Sequence, residues 1–380
     1  MRLDLEDVKF IDHLDEKRLS QFSVAVDDLL FTRYNGSRHL VARCARVPEH
    51  AGPLLHPDKL IRVILPAGMA DSRFMMYQME SAMVRRYIEP RIRTTAGQSG
   101  IAGGDIRGIP VVIPPLDEQY RIVEVLEDHL SRLDPALETL RGVAARLRPL
   151  VGALLRQIVP TGEVRGWRLT TVGEAGQVQL GRQRHPDWHT GPEMKPYLRV
   201  ANVFEDRIDT RDVMEMDFSG VFERYRLIPG DVLLNEGQSP EFLGRPAIYR
   251  GEPPEVAFTN SLIRFKANSD VLPEWALLVF RRHMHSGRFI KESRITTNIA
   301  HLSASRLKNV EFPIPPLGEQ QNLVDLANDR LSAIERLKVE LGRRLKQERA
   351  LRRSLLEAAF SGRLTGSTPA IEMAEEMAGV

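Results

Sequence analysis

The sequence predicts an α+β protein built as a tandem repeat, in which two mixed domains are each followed by a long helix. The two helices are expected to pack as an antiparallel coiled coil about a pseudo-two-fold axis. Three observations predict this. The heptapeptide IPPLDEQ at 113–119 returns as IPPLGEQ at 314–320, 201 residues later and with one mismatch. Each copy opens a heptad-patterned run long enough for a rod of about 60 Å at 1.5 Å per residue. Each is preceded by short β-type runs broken by Gly, Pro and Asn.

Taken in order, the first mixed domain covers 1–112. It aligns with the second through Leu60-Ile61-Arg62 against Leu262-Ile263-Arg264 and Thr94-Thr95 against Thr296-Thr297, all at an offset of 202. Asp28 and Leu30 match Asp231 and Leu233 at 203, and Arg2, Asp4, Asp7 and Val8 match Arg207, Asp209, Asp212 and Val213 at 205. The second copy begins near Gly166-Trp167, so about 41 of its residues (166–206) have no counterpart in the first. Either the true start lies upstream of Met1, or the first domain lacks its opening strands.

The first helix belongs to a spacer at 113–162. Val123, Leu130, Leu137, Ala144, Val151 and Ile158 alternate with Leu126, Leu133, Leu140, Leu147 and Leu154, so every seam position is apolar. Pro135 and Pro149 stand fourteen residues apart on the outward face, which predicts a kinked helix rather than two short ones. In the second mixed domain, 163–312, the runs GWRLTTVGEAGQVQLG, KPYLRVANV, GDVLLNEG, RPAIYRG and FTNSLIRFK read as strands, and PEWALLVFRRHM at 273–284 reads as a helix with proline at its start. The second spacer, 313–365, carries Val324, Ala327, Leu331, Ile334, Leu341, Leu345 and Leu355 on its seam, interrupted by Lys338, Glu348 and Arg352. An acidic tail follows at 366–380.

Composition narrows the function classes. Hydrophobic residues at 42% and charged residues at 27% suit globular domains rather than disorder. One cysteine, Cys44, excludes an internal disulfide or a thiolate cluster and fits a reducing cytoplasm, the expected location. No apolar run approaches the roughly 18 residues of a membrane span. A formal charge of +2 is too near balance to argue for a polyanion partner, so any such case rests on where the charge sits. It sits in matching places: 281–308 has seven basic residues against Glu292, and 85–107 has five against Glu89 and Asp105.

Inside those stretches lie the polar runs RITTNIAHLSASRLKN and RIRTTAGQSGIAGGDIRG, rich in side chains that bind phosphates and read base edges. The candidate DNA contacts are Arg33, Asn35, Arg93, Thr94, Thr95, Gln98 and Ser99 in the first copy. In the second they are Arg199, Asn202, Gln238, Arg245, Arg288, Lys291, Arg294, Thr296, Thr297, Asn298 and Lys308. Phe289 and Tyr87 are expected in the cores rather than stacked on bases. No GxxxxGK[ST], HExxH, CxxC or [DN]PP[YF] motif occurs, GIAGGDIRG reads as a loop, and His283 and His285 diverge on a helix. No catalytic constellation or metal site is expected.

The duplicated P-P-L-x-E-Q-plus-helix pattern, with GWRLTTVGEAG, KPYLRVANV, the GDVLL turn and the closing LLEAAFSGRLT, resembles the specificity subunits of type I restriction-modification systems. The resemblance implies a non-catalytic DNA-binding subunit. Its two target-recognition domains would each read half of a split, asymmetric site, and its helices would space the halves and dock two methyltransferase subunits. Restriction (motor-nuclease) subunits would join through those. It implies no cofactor on this chain, since S-adenosylmethionine, Mg²⁺ and ATP serve the partners. The sequence departs from the family where the first domain lacks a counterpart of 166–206. The competing readings are a coiled-coil adaptor that never touches DNA and a half-specificity subunit completed by a second chain.

Overall fold

The computed structural model describes residues 3, 5, 8–11, 13, 15–50, 52–95, 97–296 and 299–364, with the backbone alone described at 294–296. The acidic tail at 366–380 and the matched positions Arg2, Asp4 and Asp7 lie outside the described residues. Contacts divide the chain into two units, Met1–Gly142 with Leu341–Val380, and Val143–Glu340. The spacer helices are thus shared between units, each mixed segment holding the nearer portions of both.

In the first unit, β1 (Leu29–Thr32) lies between β3 (Cys44–Arg46) and β4 (Leu60–Val63) in an antiparallel sheet. A second small sheet holds β2 (Tyr34–Asn35), β5 (Arg93–Thr95) and β6 (Gln98–Gly100). Helix α1 (Ser72–Gln78) starts at Asp71, whose carboxylate accepts the N–H groups of Arg73 and Phe74. Leu29, Phe31, Phe74, Met75 and Ile88 form the core, closed by Val123, Leu126 and Leu130 of α2 (Leu116–Ile158). Residues 103–107, expected in a loop, instead form a short helix, Gly103–Arg107, with the Asp105 carboxylate accepting the Ala102 N–H. Two glycines at its start did not prevent this, because the buried Ile106 packs into the core.

The second unit repeats the plan with more strands. β7 (Arg168–Thr171) pairs with β15 (Glu311–Ile314), and the four-stranded sheet runs β8 (Gly176–Leu180), β12 (Leu262–Ala267), β9 (Val232–Asn235), β11 (Pro246–Ile248). A third sheet joins Met194–Leu198 to Met214–Asp217 and Ala257–Phe258, and a fourth holds β10 (Gly237–Gln238), β13 (Arg294–Thr296) and β14 (Ile299–His301). Trp275 and Phe280 of α3 (Pro273–His285) pack on Phe265 and Phe312, all fully buried, together with Leu154, Leu155 and Ile158 of α2 and Val324 and Ala327 of α4 (Leu317–Phe360). Phe289 is buried as expected, whereas Tyr87 is half-buried with the Arg91 guanidinium 3.6 Å from its ring centroid.

Helix α2 is continuous through Pro135 and Pro149, both exposed. It packs against α4 in each unit: Arg352 Nε donates to Asp134 at 3.2 Å in the first and Arg330 Nη1 to Gln157 at 3.4 Å in the second. One helix advances as the other retreats, the sense of an antiparallel pair. Arg352, which interrupts the apolar seam, is held there by Asp134 and by the nearly buried Glu80.

The repeated heptapeptide has a structural reason. Gln119 is fully buried; its Oε1 accepts from Asp71 N at 2.8 Å and its Nε2 donates to Met69 O and Pro114 O at 3.2 and 2.7 Å. Gln320 makes the same three bonds, to Leu272 N, Asp270 O and Pro315 O, each at 2.8 Å. The paired prolines keep the chain extended up to each helix start and remove N–H groups that would otherwise need partners. The GDVLL turn repeats likewise: Asp28 Oδ2 accepts Ala25 N and the Arg62 guanidinium, and Asp231 Oδ2 accepts Ile228 N with Arg264 Nη1 3.5 Å away. Gly230 there takes a φ of 98°, and Asp27 adopts 74° at the matching position.

Replacing Gln320 with Leu strands one buried N–H and two carbonyls, which is expected to lower stability by about 3 kcal/mol in urea unfolding. Gln119→Leu should have a loss of similar size.

Candidate nucleic-acid interface

Each unit presents a β-hairpin backed by one further strand, in the same order. In the first, β5 and β6 pair Arg93 with Gly100, Thr94 with Ser99 and Thr95 with Gln98, while β2 sets Tyr34 opposite Gly100 and Asn35 opposite Ser99. Gly97, with φ of 79°, allows the tight turn between them. Residues directly opposite share a face. Arg93, Thr95, Gln98, Gly100 and Tyr34 therefore lie on one side, and Thr94, Ser99 and Asn35 on the other. On the second side Ser99 is buried, with its hydroxyl 3.0 Å from that of the exposed Thr94. Arg93, Thr95 and Gln98 are exposed, and Arg33 sits with its guanidinium 4.8 Å from the Tyr34 ring centroid. All seven first-copy candidates thus come together on one small sheet or at its edge. Asn35 spends its carbonyl on Ser37 N.

In the second unit β13 and β14 pair Arg294 with His301 and Thr296 with Ile299, and β10 sets Gly237 opposite His301 and Gln238 opposite Ala300. Arg294 and Thr296 occupy hairpin positions; Thr297 and Asn298 lie outside the described residues. Gln238 is half-buried and its carbonyl accepts Ser239 N. Two residues that sequence reasoning missed stand out here. An aromatic ring faces a glycine across the same strand pair in both units, but from opposite strands: Tyr34 over Gly100, and His301 over Gly237. Both rings belong to exposed residues, and the signal was an aromatic paired with a glycine between polar neighbours.

The other second-copy candidates separate by burial. Asn202 leaves the set: it is buried, its Oδ1 accepts Arg199 N, and its Nδ2 donates to Asp209 O and Asp212 O. Arg199 is held by the Asp212 carboxylate, and Arg245 lies between the rings of Phe204 and Phe242. Lys291 and Lys308 are exposed. Arg288 is tied to Glu311 at 2.8 Å and Glu292 at 2.6 Å.

The basic surplus of 281–308 is thus partly matched by carboxylates that a window count does not see. Arg281 pairs with Glu205 at 2.8 Å and Arg282 approaches Glu311 at 3.6 Å, while Arg306 donates to Glu292 O. His283 and His285 do diverge, the first bonding Glu311 O and the second Glu205. Burial opposes the charge on Glu205, yet the His285 hydrogen bond and the Arg281 guanidinium bring its carboxyl down to about 2. Among the described residues no cluster of His, Cys, Asp and Glu could hold a metal ion, and no helix is long and apolar enough to cross a membrane.

The family model for the type I restriction modification DNA specificity domain matches residues 194–348, which include β9 to β15, α3 and the first part of α4. Over that stretch the chain is similar to the type I restriction-modification specificity family. Relatives include the type I restriction enzyme EcoKI specificity subunit of Escherichia coli K12, 32% identical over 168 residues, covering 44% of this chain and 36% of that protein. The putative MjaX specificity subunit of Methanocaldococcus jannaschii is 27% identical over 141 residues, 35% and 32% of the two chains. The chain spans about a third of the length of the curated relatives it matches. A solved structure concerned with complex assembly and conformational transition of the type I R-M system aligns over 90% of this chain and 83% of its own, with a TM-score of 0.68 at 18% identity. That likeness is one of fold. The resemblance drawn from the repeated motif therefore holds, and so does the fold class of two mixed domains with long helices.

Glu205→Gln is expected to lower stability by about 2 kcal/mol at pH 7. A carboxyl depressed in the folded state stabilises above its unfolded value near 4.3 and loses that contribution as pH falls toward 2. The gap between the two proteins in urea titrations should therefore narrow from pH 5 to pH 3.

Proposed function

We propose that this chain is the DNA-reading subunit of a type I restriction-modification complex, without catalysis of its own, and that each hairpin enters a major groove. The observation that carries the reading is the recurrence, in both units, of one three-stranded sheet built on a hairpin, which in the first unit leaves Arg93, Thr95 and Gln98 exposed. A two-stranded ribbon fits the width of the major groove, and Arg, Gln and Thr are side chains that read base edges there. The hairpin sheets differ at matched positions, with Tyr34, Gln98 and Gly100 in one where the other has Gly237, Ile299 and His301. The half-sites they read therefore differ, giving a bipartite, asymmetric target.

Five parts make up the division of labour: recognition by 1–112 and 163–312, spacing and docking by 113–162 and 313–365, and an acidic tail at 366–380. Two methyltransferase subunits dock on the helices, and restriction subunits join through them. S-adenosylmethionine, Mg²⁺ and ATP are used by those partners. Electrostatic contacts supply much of the affinity, so binding weakens steeply with salt.

The test maps methylated bases after the chain is combined with its methyltransferase. Arg93→Ala and Gln98→Ala are each expected to weaken or relax one half-site, by about 1 to 3 kcal/mol per base pair, while the other half stays intact. Methylation indifferent to both substitutions, or DNA binding that does not fall with salt, would favour the adaptor reading.

A further inference from the structure

In the second unit one end of the four-stranded sheet gathers cationic groups that the fold itself does not use. The close of β8, the start of β12, the close of β9 and the start of β11 all stand at that end, since Leu180 pairs with Ile263, Asn235 with Leu262 and Leu234 with Pro246. The hairpin sheet continues from there, because β10 follows the inner strand β9 after the single residue Glu236. Each outer strand meets a loop at the same end: 181–193 leaves β8, and 239–245 enters β11.

The loop after β8 is held at both stems. Gly181 N donates to Leu262 O at 3.2 Å and Arg182 N to Phe258 O at 3.1 Å, and a Cβ on Gly181 would collide with Thr259 O. At the other stem Glu193 N donates to Asp217 Oδ1 at 2.9 Å, and a Cβ on Gly191 would collide with the Asp217 side chain. Arg182 Nη1 donates to Asp217 O, so one residue ties the two stems together. The Arg182 guanidinium also lies 4.0 Å from the ring centroid of Trp188, which the loop carries. Asp187 is taken by His185 at 3.2 Å. Arg184 remains: it is exposed and, among the described residues, makes no hydrogen bond or ion pair.

The loop before β11 ends in a bulge. Asn235 N donates to Arg245 O at 3.2 Å while Asn235 O accepts Gly244 N at 3.1 Å, so two residues oppose one, and Gly244 supplies the φ of 68°. The Arg245 guanidinium lies 4.7 and 5.4 Å from the ring centroids of Phe204 and Phe242 and, among the described residues, has no hydrogen bond or ion pair. Carboxylates close by in sequence are committed elsewhere, Glu205 to Arg281 and His285, and Glu241 to Arg148 at 3.3 Å. Asn235 is fully buried with neither amide atom partnered, and the buried Arg245 Nε is in the same condition. Buried polar atoms are almost always paired, yet three without a partner belong to this one bulge.

We propose that Arg184 and Arg245 hold DNA phosphates on the two walls of the groove that the second hairpin enters, an inference that rests on the DNA-reading function proposed above. The outer strands stand three strand intervals apart, roughly 14 Å at 4.8 Å each. A major groove is about 12 Å wide. Cations at both margins, with the strand leading into the hairpin between them, therefore match the spacing of the two phosphate walls. Both cations are pre-placed, one on a loop with pinned stems and one against two rings, so little freedom is lost when they bind. Phosphate contacts fix position and carry no sequence information. These two arginines set affinity and the seating of the hairpin, while the identity of the half-site is left to the hairpin itself.

The complex of this chain with its methyltransferase is titrated with a duplex holding its mapped methylation site, from about 50 to about 200 mM salt. Arg184→Ala and Arg245→Met are each expected to lower the slope of log K against log salt by about 0.9, so that affinity falls about 3.5-fold less across that range than in the parent, and the double variant by about 1.8. Arg184→Lys should restore the slope, and the methylated sequence should stay the same in all four. Neutral methylphosphonates placed singly around the second half-site should silence Arg184→Ala at a position on one strand and Arg245→Met at a position on the other. Methionine keeps the packing against Phe204 and Phe242, and an unchanged thermal midpoint shows that the fold survives. Parental slopes in either variant, an altered methylated sequence, or both arginines answering to phosphates of one strand overturn the clamp, even where the parent binds and methylates a bipartite site. Parent binding that ignores salt overturns the DNA-reading function with it.

Discussion

The fold depends on a buried glutamine at the start of each long helix. Gln119 and Gln320 each satisfy one N–H and two carbonyls of chain segments about fifty residues apart in sequence, at the point where a mixed domain hands over to its rod. An amide is the side chain able to donate twice and accept at once in that space; a carboxylate lacks the donors and an apolar residue would leave all three groups unpaired. The tie fixes where the helix begins relative to α1 or α3. With the helix start fixed, the leucines of the rod meet the domain core in register, so Val123 and Leu126 fall against Phe74 in one unit as Val324 and Ala327 join the cluster of Trp275 in the other.

Charge shows how a local reading and a folded one differ. The window 281–308 looks strongly basic, but Glu205 reaches it from another element to pair with Arg281, and Glu311 to pair with Arg282 and Arg288. Opposite charges attract across space without regard to sequence distance, so counting within a window overstates a patch whenever the partner lies outside it. The candidate contacts that remain at the surface are instead grouped by strand pairing. Arg93, Thr95 and Gln98 share a face because period-two alternation and hairpin register place them there.

The candidate site was legible in part. The recurrence of polar residues around Thr94-Thr95 and Thr296-Thr297 marked the hairpins, since the duplication keeps both within one residue of the same distance from the IPPL motif. Asn202 was misjudged because a polar side chain near a strand end was counted toward the surface, while the fold turns it inward to hold a loop through Asp209 and Asp212. Tyr34 and His301 went unnoticed because an aromatic over a glycine is a relation between two strands, invisible until they are paired. The short helix Gly103–Arg107 was missed for a related reason: its glycines disfavour helix, and only the burial of Ile106 outweighs them.

By itself the sequence determined the duplication, the two rods with their apolar seams, the order of mixed segments and helices, and the family, because each rests on periodicity or on a repeated motif that needs no partner to be recognised. The tertiary structure alone decided which arginines are engaged and which polar side chains face outward. Those properties belong to pairs of groups distant along the chain, and burial, ion pairing and strand registry come into being only when folding brings the pairs together.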